Sequence, residues 1–104
     1  MSEELQVPGG KKADSGKDRW DLLPPVALRP IVQVLTFGSH KYGDNNWQKV
    51  PDARRRYYAA LQRHITAWYE GEPNDSESGL PHLAHAGCCL VFLLWLEAKG
   101  KLDG

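Results

Sequence analysis

The sequence predicts an all-α protein, a small helical bundle of about three main helices that is completed by oligomerisation. Three observations carry this. Apolar residues recur at helical spacing through 28–42 and 57–68. The stretch 83–96 is apolar at nearly every position, which three helices by themselves could hardly cover. No stretch alternates apolar and polar residues over a useful strand length.

The elements follow in order. Residues 1–18 contain Gly9-Gly10, Lys11-Lys12 and Ser15-Gly16 with little to bury, so this segment is expected to be flexible. Residues 19–104 are expected to form the domain, with order beginning near Trp20-Asp21-Leu22-Leu23. Leu28, Ile31, Val32, Leu35 and Tyr42 fall on one helical stripe. A proline inside a helix loses a backbone bond and clashes with the preceding turn, so Pro30 sets the expected start of the first helix. Gly43 sets its stop, and 44–51 reads as a loop. Asp52 is the expected N-cap of a second helix running to about Glu70. Its core face would be Tyr57, Leu61, Ile65 and Trp68, with Arg54, Arg55, Gln62 and Thr66 turned away. The stretch 71–79 carries loop chemistry throughout. Ser78 then reads as the cap of the third helix, with Pro81 tolerated in its first turn.

Composition removes several function classes. Thirteen basic and thirteen acidic residues cancel, where a general nucleic-acid binder would carry a basic excess. No nucleic-acid partner is expected. Cys88 and Cys89 are adjacent in an apolar run, a poor geometry for a disulfide, and read as reduced thiols. The opening residues are polar rather than signal-like. The longest apolar run, 86–96, is about half the ~20 residues that a membrane span needs. The expected location is the cytoplasm, that of the host if the protein is phage-encoded, with no membrane partner.

The chemistry concentrates between 64 and 85. Glu70, Glu72, Asp75 and Glu77 crowd one loop with no basic residue among them, and a bound cation relieves such repulsion. His82 and His85 stand three apart on the next helix and share a face. His64 lies on the second helix, and a short loop folds these two helices antiparallel, so His64 can meet His85. Histidine and carboxylate together suit Zn, Mn, Fe or Co better than Ca, and the loop lacks EF-hand spacing. The candidate metal ligands are His64, Asp75, Glu77, His82 and His85. Glu77 or Glu72 would take a proton from a metal-activated water. Lys41 and Arg63 border this cluster, and Lys17 and Arg19 precede the ordered chain. All four could bind phosphate. Trp47 beside Asn45 and Asn46 offers either a stacking surface for a nucleobase or a plug for the bundle end. A competing reading is a metal-stabilised interaction module, or a nucleic-acid-binding one, without catalysis. Structural zinc sites are usually closed and cysteine-rich, unlike this set.

Three blocks of the sequence resemble a known family, the phage dATP/dGTP diphosphohydrolases. They are the run from Asp14 through Arg19-Trp20-Asp21-Leu22-Leu23-Pro24-Pro25, the run His40-Lys41-Tyr42-Gly43-Asp44-Asn45-Asn46-Trp47, and a third set. That set is Arg63-His64, Gly71-Glu72, Asp75 and Glu77-Ser78-Gly79-Leu80-Pro81-His82-Leu83-Ala84-His85. The family is similar in outline to the MazG-like all-α nucleotide pyrophosphohydrolases. The resemblance implies a purine deoxynucleoside triphosphate as substrate, cleaved between the α- and β-phosphates to the monophosphate and pyrophosphate. It also implies a divalent metal, Mg or Mn foremost. MazG proteins hold magnesium with Glu-x-x-Glu on one helix and Glu-x-x-Asp on the next. This chain has neither, so the acidic loop with His64, His82 and His85 takes that place.

Overall fold

The computed structural model describes residues 4–7 and 9–102, for 4–7 the backbone alone. The expectations for 1–18 and 19–104 therefore rest in part on residues 1–3, 8 and 103–104, which lie outside the described residues. Three helices dominate, as the periodicity requires: α1 (Pro25–Tyr42), α2 (Ala53–Tyr69) and α3 (His82–Ala98).

Helix α1 starts at Pro25 rather than Pro30, which lies inside it. Pro25 stands in the first turn, where a missing N–H costs nothing. The bond that Pro30 forfeits would have gone to the carbonyl of Val26. That residue is 75% exposed, so water can satisfy the orphaned oxygen. Gly43 ends the helix as expected, with φ +92° and its N–H on the carbonyl of Ser39 at 2.8 Å.

The sequence reading contains no strand, but the structure adds a short hairpin of β1 (Glu4–Val7) and β2 (Gly10–Ala13), paired antiparallel with Val7 opposite Gly10. Four residues are too few for alternation to register. What makes the turn is Gly9 at φ +88°, a conformation glycine reaches without penalty.

Helices α2 and α3 pack most extensively against each other, and the contacts show that they run antiparallel. Tyr57 near the start of α2 meets Phe92 late in α3 (ring centroids 5.1 Å), while His64 further along α2 meets His85 early in α3 (4.6 Å). Helix α1 lies on α3 where small residues let it approach. Val34, Ala84 and Cys88 form the buried centre, with Ile31, Leu35, Leu80 and Phe92 packed around it. At Gly87 a methyl group would stand 3.0 Å from the Ile31 side chain, so this glycine keeps the two helices close.

Two expectations for the core need correction. Ile65 and Trp68, assigned to the inner face of α2, are exposed. Helix α3 begins at His82 with Pro81 as its cap, not with Ser78. Asn74 bridges Pro81 across the loop, and that pairing holds 78–81 off the helix. Along α3, Leu90 is 50% and Leu94 65% exposed. No helix among the described residues is long and apolar enough to cross a membrane.

Candidate metal centre

The α2–α3 loop is built as a narrow ladder. The N–H of Asp75 reaches the carbonyl of Leu80 (2.8 Å) and that of His82 reaches Pro73 (2.9 Å). Gly71, at φ +104°, lets the chain leave α2 sharply, and Glu72 donates its N–H back to the Ala67 carbonyl at 3.0 Å. This register sets residue 72 beside residue 82. The Glu72 carboxylate, through Oε1, lies 2.5 Å from Nε2 of His82.

His82 is 5% exposed, and its other nitrogen, Nδ1, is 2.9 Å from Nδ1 of His64. The His64 ring also stacks on His85, with centroids 4.6 Å apart and planes 11° from parallel. His85 is bonded through Nε2 to Ser78 Oγ at 2.7 Å, and the same oxygen accepts the N–H of Leu80 at 3.1 Å. One nitrogen each of His64 and His82 and one carboxylate oxygen of Asp75 lie within 4.8 Å of one another.

Electrostatics keeps this cluster ready for a cation. Burial lowers the pKa of His64, and His85 and His82 beside it act the same way. Burial also lowers that of His85, against the opposing pull of Asp75. Both rings are thereby biased to the neutral form, the form that binds a metal. Burial works to raise the pKa of Asp75, but the N–H groups of Ser78 and Glu77 and the field of His85 outweigh it, and the net shift is downward. Asp75 stays ionised. The imidazoles of His64 and His82 and the carboxylate of Asp75 are a donor set suited to a first-row divalent ion. The His64–His82 separation of 2.9 Å matches neighbouring ligands on an octahedral ion with bonds of about 2.0–2.1 Å. Cys88 and Cys89 are not among the residues whose ligand atoms come together here; both are buried, and burial pushes their thiols up to about 12 and about 11.

The acidic loop is less bare than its sequence suggests. Glu77 does not join the three-residue set; its carboxylate accepts from the Lys41 ammonium, which closes α1. That contact brings α1 to the site and raises the pKa of Lys41. Arg63 is exposed beside His64 and helps hold down that histidine's pKa. Arg19 donates two bonds to Asp21, at 3.1 and 2.7 Å. Among the described residues, neither it nor Lys17 bonds to the cluster. Trp47 and Asn46 stand at the opposite end of the helix pair. There Trp47 stacks on Phe92 (4.5 Å, 15°) and meets Trp95 edge-on (5.1 Å), so Phe92 covers one of its faces. Ser78, assigned in sequence to a helix cap, turns out to be the partner of His85. No spacing rule exposes that, because Ser78 lies outside the helix.

The model of a family described as dATP/dGTP diphosphohydrolase, N-terminal, matches residues 8–103. A dATP/dGTP diphosphohydrolase of Salmonella phage PMBT28 is 37% identical over 87 residues, covering 84% of this chain and 29% of the phage protein. The chain thus spans less than a third of the curated relative it matches. No solved structure matches it.

Proposed function

The chain belongs to the dATP/dGTP diphosphohydrolase N-terminal family, and on that premise we propose that it hydrolyses a purine deoxynucleoside triphosphate, dATP or dGTP, with a divalent metal. The products are the nucleoside monophosphate and pyrophosphate. The observation that carries the reading is the family match over residues 8–103; the histidine–carboxylate cluster supplies residues to do the chemistry.

His64, Asp75 and His82 would hold the ion, with His85 packed on His64 and able to join them. When bound, the metal neutralises phosphate charge and makes an attached water more acidic. Glu77, exposed and two residues from Asp75, would be the acceptor for the proton of an attacking water. Lys41 balances charge that develops on the phosphates, joined by Arg63 at the rim. Lys17 and Arg19 would reach the phosphates only if the segment before α1 closes over the nucleotide. The test is incubation with each dNTP plus Mg or Mn, following the phosphorus products by 31P NMR. Pyrophosphate with the monophosphate supports the assignment. Orthophosphate with a nucleoside diphosphate refutes it.

A second copy of this chain completes the bundle in this reading. Tyr58, Leu90, Val91 and Leu94 are all 40% exposed or more, an apolar face that a second copy would cover. A groove of about 800 Å³ lined by Tyr58, Leu90, Leu93 and Leu94, with Arg54 and Arg55 at its rim, marks the face concerned. Sedimentation at micromolar concentration should give a dimer or larger; a well-folded monomer would end this part of the proposal.

A second reading is a non-catalytic, metal-stabilised module, for which the observation is that His82 is buried and bonded on both ring nitrogens. In that case chelation melts the protein and no dNTP is turned over.

A further inference from the structure

We propose that Glu72 is a positioning residue, which fixes one tautomer of His82 and so aims a lone pair into the cation cradle. The metal part of this inference rests on the reading above; the tautomer part stands without it.

A carboxylate accepts hydrogen bonds and donates none. With Glu72 Oε1 at 2.5 Å, the hydrogen of the His82 ring therefore sits on Nε2. In the neutral ring the lone pair is then on Nδ1, the atom 2.9 Å from His64 Nδ1. Were the tautomer reversed, Glu72 would face a lone pair and the cradle would face an N–H, which repels a cation. The backbone enforces the arrangement. The bonds Glu72 N–H to Ala67 and His82 N–H to Pro73 fix both residues against each other before their side chains meet. His82 is 5% exposed, so water has little access to its Nε2 as a competing acceptor. A carboxylate behind a ligating histidine usually strengthens metal affinity by about 10- to 100-fold.

The ion-free cluster follows from the same logic. With the lone pair of His82 on Nδ1, the bond between the two rings must use a hydrogen on Nδ1 of His64. A cation entering the cradle displaces that hydrogen to Nε2 of His64. The event is a change of tautomer with no net proton release, and it leaves a distinct nitrogen signature.

The experiment uses 15N-labelled protein and long-range 1H–15N correlations of the imidazole rings, with and without Zn²⁺, for the wild type, Glu72→Gln and Glu72→Leu. Zinc affinity is measured in parallel by calorimetry, and folding by circular dichroism. The wild type should show His82 protonated on Nε2 alone, and His64 switching from Nδ1–H to Nε2–H as zinc binds. Glu72→Leu should give an averaged His82 tautomer and zinc affinity about 10- to 100-fold weaker, with the helices intact. Glu72→Gln, whose amide oxygen still accepts, should keep the tautomer and lose only a few-fold in affinity. An unchanged His82 tautomer in Glu72→Leu overturns the proposal whatever zinc does. If the wild type binds no zinc, the metal reading fails, and the tautomer comparison still decides what Glu72 does.

Discussion

The two ends of the α2–α3 pair are built from the same helices and hold entirely different chemistry. At the loop end, His64, His82 and His85 pack ring to ring and their nitrogens are tied to Glu72, Ser78 and one another. At the other end, Trp47, Tyr57, Phe92 and Trp95 interlock, and the Tyr57 hydroxyl donates to the Trp47 carbonyl at 3.0 Å. Aromatic burial is non-directional and contributes in proportion to area. A buried polar network contributes little net stability, because each bond replaces one to water. Burial at the aromatic end therefore carries the stability of the helix pair, and the polar end is where the three histidines meet.

This division can be broken at either end, and the largest effect is expected at the polar one. His82→Ala should lower dNTP hydrolysis by orders of magnitude, because it removes one of the three residues that would hold the ion, with only a small fall in melting temperature. Full loss of folding on this change would instead make the cluster a structural core. At the aromatic end, Phe92→Ala should cost about 3 kcal/mol of stability and leave activity per folded molecule nearly intact, which denaturant titration and active-site counting separate. Divalent ion at about 100 times its dissociation constant should stabilise the wild type by about 2.7 kcal/mol. His82→Ala should lose that gain and Phe92→Ala should keep it.

Acidity sharpens the same contrast. His64 and His85 have folded pKa values below the ordinary imidazole range, so the unfolded chain binds more protons there. Stability from these groups is complete above about pH 6.5 and is lost as the pH falls from there through the lower folded values. The melting temperature should drop on acidification below that point, and less so in a His64→Gln/His85→Gln double variant. An equal drop in both proteins would assign the effect to carboxylates such as Asp75, whose lowered pKa has the same sign. The smallest stability change is expected for Lys41→Ala, because its pair with Glu77 is largely exposed and such pairs are screened. Its effect should appear as a raised KM; an unchanged KM would remove Lys41 from phosphate binding.

Local pattern decided the three helices, their order and their stops. Leu28, Ile31 and Leu35 recur at helical spacing whatever lies opposite, and Gly43 ends α1 through its own backbone freedom. The same rule placed His82 and His85 on one face, and the loop 70–81, folded back on itself by the Asp75–Leu80 and His82–Pro73 bonds, brought His64 across to them. Where a second element intervened, the pattern misled. Pro30 is tolerated where the carbonyl it orphans belongs to Val26, an exposed residue that water can reach, and Ser78 leaves the helix because Asn74 pairs with Pro81.

The sequence by itself determined an all-α chain and a histidine-and-carboxylate cluster around one loop, because periodicity and loop length act between near neighbours. Tertiary structure alone decided how three of the four carboxylates are used: Glu72 on His82, Asp75 on the loop backbone, and Glu77 on Lys41 from a different helix. Partner choice depends on distances across elements, which fall off with packing rather than with position in the chain. It was packing, too, that turned Trp47 onto Phe92 and left Leu90 and Leu94 facing outward.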